Sequence, residues 1–137
     1  MKILKWSFYI LQVQICFMLS ACAGGDYSSE LSGDYFYRAE GGDINEILPH
    51  LPNRKEIPAN VLSYDYNSDF IIAAQKPNAT DDPLYDSTLT YPSGRDKIYY
   101  WLIVHSDTIV LGPLNKQDFD LALKRYNVPS NLTLQVP

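Results

Sequence analysis

Cysteine is nearly missing from this chain: of 137 residues only Cys16 and Cys22 carry a thiol, both close to the N-terminus. From residue 23 onward, disulfides, thiolate-bound zinc and cysteine nucleophiles are therefore excluded together. Histidine is almost as scarce, with His50 and His105 alone to act as a base near neutral pH. Basic residues are outnumbered, 11 Lys and Arg facing 16 Asp and Glu. No stripe of positive charge is available to neutralise phosphates, so nucleic acid is not expected as a partner. Long hydrophobic runs are missing too. The apolar stretch that starts at Trp6 is interrupted by Gln12 and Gln14, and it falls short of the ~20 residues a membrane-spanning helix requires.

The N-terminus carries a different pattern. Lys2 and Lys5 flank the start, Trp6 to Leu11 are apolar, and Ile15 to Leu19 resume that character before Leu19-Ser20-Ala21-Cys22. A charged start, an apolar middle and small residues at a cleavage point make a secretory signal. The last four residues resemble the lipobox of bacterial lipoproteins, in which small side chains let a peptidase seat the backbone beside a diacylglyceryl-bearing cysteine. The resemblance implies that residues 1–21 are a lipoprotein signal peptide and that Cys22 is the site of lipid attachment. An ordinary secretory signal with Cys22 as a bystander is the alternative. Cleavage removes two basic residues and no acidic ones, leaving nine against 16 and a net charge of −7. The remaining 116 residues suffice for one domain with a single core.

Residues 22–33 are small, polar and glycine-containing. They read as a flexible tether, because Tyr27 and Leu31 alone cannot offset the entropy of ordering them. A domain is expected over 34–137. Tyr35 to Arg38 has aromatic β-propensity, Gly41-Gly42-Asp43 marks a turn, and Ile44 to His50 forms a second short strand limited by Pro49 and Pro52. Val61 to Tyr66 alternates, with Leu62, Tyr64 and Tyr66 on one face; Asn67-Ser68-Asp69 turns the chain, and Phe70 to Lys76 returns. Residues 77–96 form a long loop with three prolines, which is functional, disordered, or hides a short strand at Thr88 to Tyr91. Lys97 to Val104 is apolar on both faces, as a central strand with a helix on one side would be, and Thr108 to Leu111 pairs back until Gly112-Pro113.

One helix follows. Asn115 is its N-cap with Asp118 at the third position, Leu114 and Phe119 are placed as a hydrophobic staple, and Phe119, Ala122, Leu123 and Tyr126 recur as a buried stripe. Asn127 and Pro129 end it, and the tail from Leu132 to Val136 either adds a last strand or frays. The expected class is α+β: an antiparallel sheet of about four to six strands with one C-terminal amphipathic helix packed on one face.

Phe70 to Pro77, Lys97 to Val104 and Leu111 to Leu123, taken in that order, resemble a family of small Bacteroidetes-type lipoproteins of unknown function. The family carries no assigned catalytic residues. The resemblance implies placement in a bacterial envelope and nothing about chemistry.

Few constellations suggest a site. His105 stands near Asp107, but no serine elbow or histidine-rich motif accompanies them, and a solvated turn histidine is expected. His50 sits between two prolines. Asp81, Asp82 and Asp86 lack the glycine and closing glutamate of a calcium loop and read as a solvated acidic segment. Neither a metal nor a cofactor is expected. Glu40, Glu46 and Glu56 are the carboxylates available to a hydrolase. Asp107-Thr108-Ile109 and Asp86-Ser87-Thr88 match a short acceptor motif for O-linked glycans. Ten tyrosines and one tryptophan follow Cys22. Tyr35 and Tyr37 share a strand face, as do Tyr64 and Tyr66, and Tyr99 and Trp101, so these six are the candidate aromatic binding patch. The ordinary alternative places the same rings in the core.

The expected function is that of a lipid-anchored, non-enzymatic envelope module binding a protein or glycan through an aromatic sheet face or the 77–96 loop. The expected compartment is the bacterial cell envelope, the outer membrane ahead of the inner. An immunity or inhibitor lipoprotein, its acidic surface covering a basic target, is the first alternative. A carboxylate-based hydrolase of envelope polymers is the second.

Overall fold

The computed structural model describes residues 25–42, 44–80 and 89–137. Residues 1–21, expected as a signal peptide, Cys22, and Asp81, Asp82 and Asp86 lie outside the described residues. The class is α+β, with seven antiparallel strands divided between two sheets among the described residues. The smaller sheet holds β1 (Tyr27–Glu30), β2 (Tyr35–Ala39) and β3 (Asn45–Pro49), in that order. The larger holds β4 (Val61–Tyr66), β5 (Phe70–Gln75), β6 (Tyr99–Val104) and β7 (Ile109–Leu114). Helix α1 (Lys116–Arg125) covers the larger sheet's other face.

The larger sheet is the middle layer, which explains why β5 and β6 are apolar at every position except Gln75. Successive side chains on a strand point to opposite faces. Ile71, Ala73, Trp101 and Ile103 thus join Tyr35, Tyr37, Ile47 and Ile57 in a core between the sheets. Ile72, Leu102 and Val104 join Phe119, Ala122 and Leu132 in a second core beneath the helix.

Strand β1 falls within the stretch that the sequence presents as tether. All four of its side chains are exposed, so their burial cannot hold it. Its backbone pairs with β2 from Tyr27 opposite Ala39 to Glu30 opposite Phe36, and the Tyr27 ring packs 5.7 Å from that of Tyr37. The folded domain therefore starts by Tyr27 rather than at residue 34.

Two bulges adjust the larger sheet. Val61 pairs with Gln75 and Ser63 with Ala74, so Leu62 is an extra residue. The bulge turns Leu62 out to solvent and leaves Val61 and Tyr64 both against the inter-sheet core, which breaks the expected shared face of Leu62, Tyr64 and Tyr66. On β7, Gly112 and Pro113 together oppose Trp101, between the pairs Leu102 with Leu111 and Tyr100 with Leu114. Gly112 has φ +149°, and a Cβ there would stand 2.3 Å from the indole ring. Only glycine lets the backbone approach that closely.

The helix ends as its sequence foretells. Asn115 Oδ1 accepts the Asp118 amide at 2.8 Å. At the other end Asn127 takes φ +54°, the Val128 amide donates to the Leu123 carbonyl at 2.9 Å, and the Asn127 amide donates to that of Lys124 at 3.2 Å. This is a Schellman cap built on asparagine. The tail beyond it neither frays nor forms a strand. Its Thr133 and Gln135 amides donate to Asp65 Oδ2 and Ser63 Oγ, each at 2.9 Å, and Leu132 and Leu134 close the lower core.

Candidate binding surface

The six aromatic residues singled out by the sequence do not form one exposed patch. Tyr35, Tyr37 and Trp101 are buried where the two sheets face each other, and Tyr99 is buried against the 91–94 segment, its ring 5.1 Å from that of Tyr91. Tyr64 is half-buried and stacks against Tyr37 with ring centroids 4.7 Å apart, while Tyr66 remains exposed. Burial, followed by the neighbouring Tyr27 hydroxyl, pushes the Tyr37 phenol up to about 12. Burial likewise raises Tyr64. These rings are therefore neutral packing elements near pH 7 rather than acids.

The long loop is the other candidate surface, and its legs are tied to the core by a polar network. Gln75 ends β5 fully buried. Its Oε1 accepts the Trp101 indole N–H at 2.8 Å. Its Nε2 donates to the Ala59 carbonyl and to the Tyr91 hydroxyl, both at 3.1 Å. Tyr99 adds a second fastening: its hydroxyl accepts from the Ser93 amide at 2.9 Å and donates to the Gly94 carbonyl at 3.0 Å. Arg95 places its guanidinium 5.0 Å from the Tyr91 ring centre and donates to the Asn78 carbonyl at 2.9 Å, joining the two legs. Of the short strand expected at Thr88 to Tyr91, the described residues 89–91 carry no strand pairing.

His105 is not a solvated turn residue. It is half-buried where the β6–β7 turn meets the β1–β2 turn, with Nε2 2.8 Å from Ser32 Oγ. Among the described residues, its buried Nδ1 has no hydrogen-bond partner. The favoured neutral tautomer donates from Nε2 to Ser32, which leaves a lone pair rather than an N–H at Nδ1. Burial, then the nearby charge of Arg54, holds its pKa below the ordinary value, against the opposing pull of Asp69 and Asp34. Asp107 lies elsewhere, accepting from Ser106 Oγ at 3.1 Å. His50 stacks on Phe36 at 4.7 Å and meets Glu30 at 2.8 Å on the outer side of the small sheet.

Among the hydrolase carboxylates, Glu46 is buried and held by Arg38, its cross-strand neighbour, while Glu40 reaches the same guanidinium at 3.3 Å. The two therefore flank a cation instead of facing a cleft. Among the described residues, no three His, Cys, Asp or Glu side chains gather as metal ligands would. An open groove of about 760 Å³ runs along the C-terminal end of α1, lined by Leu123, Lys124, Val128 and Leu132, and it gathers no set of reactive groups.

Residues 32–136 match the family described as protein of unknown function (DUF3997). The chain belongs to that family. No curated protein and no solved structure matches it. The DUF3997 span takes in β2 to β7 and α1, along with both turns that meet at His105. Strand β1 precedes the span. Of the polar residues that the fold of the DUF3997 domain engages, the sequence offers Glu46 only as a hydrolase carboxylate and His105 only as a solvated turn histidine, and it assigns Gln75 no role. Gln75 alone carried a signal: it continues the inward face of Ile71 and Ala73, so the alternation itself places it inside.

Proposed function

We propose that this protein is a lipid-anchored, non-enzymatic module of the bacterial cell envelope that presents the 77–96 loop to a protein or glycan. The anchor rests on Lys2, Lys5, the apolar run and Leu19-Ser20-Ala21-Cys22. The observation that carries the binding role is the fastening of the loop to the core through Gln75, Tyr91 and Tyr99. A loop this long commonly serves function, and legs held in one shape, as its described residues 77–80 and 89–96 are, lose less entropy on binding.

Two measurements test the reading. A clickable palmitate analogue enters the wild-type protein in cells and fails to enter Cys22→Ser. A photo-crosslinking residue in place of Ser93 captures a partner that the same residue in place of Leu121, on the exposed side of α1, does not. Equal capture from both positions, or none from either, defeats the loop as the contact surface. A basic captured protein shifts the reading to the immunity or inhibitor alternative, since the −7 charge of the mature chain complements such a target.

A further inference from the structure

We infer that the side of the domain formed by Tyr27, Ile44 and Tyr66 rests on the surface of the bilayer that holds its own lipid. The inference rests on lipid attachment at Cys22, proposed above.

Its first support is the length of the leash. Asp26 follows Cys22 by four residues, and four residues reach at most about 14 Å however they run. Asp26 is already part of the domain, its carboxylate 3.7 Å from where a Cβ on Gly41 would stand. A compact domain of this size has a radius of gyration of about 13 Å. A leash so short cannot hold such a body clear of the headgroups, and the side where the chain enters must face them.

The second support is what that side carries. Tyr27 pairs with Ala39, and Ala39 with Asn45, so Tyr27 and the segment beginning at Ile44 lie at one end of the small sheet. That end adjoins β4, through the Tyr37–Tyr64 stack at 4.7 Å and the bond from Asn45 Nδ2 to Asn60 Oδ1 at 2.8 Å. Among the described residues six large hydrophobic side chains are exposed, and three of them lie on these meeting elements outside the bulge that turns Leu62 away: Tyr27 at 57%, Ile44 at 43% and Tyr66 at 41%. Tyrosine is favoured at the membrane interface, where its ring meets the acyl boundary and its hydroxyl stays wet. The same side carries Asp26 and Glu40 but also Arg38. Its attraction to the bilayer is therefore apolar and aromatic, with no dependence on anionic lipid.

The test uses the full lipidated protein in vesicles of phosphatidylethanolamine and phosphatidylglycerol containing lipids with brominated acyl chains. Trp101, 1% exposed, is the sole tryptophan after signal removal and supplies a constant background. Tyr27→Trp and Tyr66→Trp each add an emission that shifts to the blue and is quenched by the brominated lipid. Leu121→Trp, on the exposed side of α1, adds one that is not quenched. The difference persists at high salt and when phosphatidylglycerol is omitted. If palmitate is incorporated and the protein floats with vesicles, yet neither tyrosine-site variant is quenched beyond Leu121→Trp, the docked face is wrong while the anchor stands. If palmitate is not incorporated at all, the anchoring reading fails and this inference falls with it.

Discussion

Gly33 and His105 come from the turns of different sheets and touch so closely that a Cβ on Gly33 would lie 2.1 Å from the imidazole Nδ1. Gly33 also holds φ +59°, a conformation side chains rarely adopt. Both facts oppose any larger residue there. Gly33→Ala is expected to destabilise the domain by about 1 to 3 kcal/mol, read as a lower midpoint in urea unfolding. Pairing it with His105→Ala is expected to recover the part due to the clash and not the part due to backbone strain. Full additivity of the two changes would contradict the contact.

His105 also makes stability depend on pH. Its pKa in the folded protein lies below the ordinary 6.5, so the unfolded chain binds the extra proton first as pH falls. The stabilisation from its neutral form is complete above pH 6.5 and declines as pH drops through that value toward the folded pKa. A proton on Nδ1 would meet no acceptor among the described residues, which works in the same direction. Thermal unfolding followed across this window is expected to show a falling midpoint in the wild type and a flatter profile in His105→Gln. Identical slopes would remove His105 as the cause.

Gln75 is the hinge of the loop's attachment. Gln75→Leu keeps the volume but leaves the Trp101 indole N–H without its acceptor, at a cost of about 1 to 3 kcal/mol. It also removes the bond from Gln75 Nε2 to the Tyr91 hydroxyl. The variant is expected to lose stability and to admit proteolysis in the segment 89–96, while the Gln75→Leu and Trp101→Phe pair loses less than the sum of the singles. An unchanged cleavage rate would show that the loop does not depend on this network.

The tail is held by side chains from β4 rather than by strand pairing. Asp65→Ala removes the acceptor for the Thr133 amide and is expected to cost about 1 kcal/mol. Hydrogen exchange at Thr133 should speed up, with that at Phe119 unaffected. Equal acceleration at both would indicate global destabilisation instead.

Much of the layout could be read from the amino acids alone because periodicity and capping are local. The turn at Asn67-Ser68-Asp69 shows this: Asn67 Oδ1 accepts from the amides of both Asp69 and Phe70, at 2.8 and 2.9 Å, a use of asparagine visible from its position between two apolar runs. The strand β1 was hidden for the opposite reason. Tyr27-Ser28-Ser29-Glu30 buries none of its side chains and is held by a neighbouring backbone, which leaves no pattern in its own residues. The bulge at Leu62 was hidden as well, since an inserted residue reverses the facing of everything beyond it without changing the composition.

The candidate patch divides along the same line. That Tyr35, Tyr37, Tyr64, Tyr66, Tyr99 and Trp101 fall in pairs on strand faces is a property of the chain. Which faces meet water depends on how the two sheets and the 91–94 segment lie on each other, and that set four of the rings inside. By itself the sequence determined β2 to β7 and the helix with its caps, the acidic balance and the absence of sulfur chemistry after Cys22, because each follows from neighbouring residues or from simple counts. Only the tertiary structure decided that His105 lies under Gly33, that Gln75 fastens the loop, and that Tyr27 and Tyr66 stay exposed. Those relations join residues dozens of positions apart, and no local pattern encodes a contact whose partner is supplied by another layer of the fold.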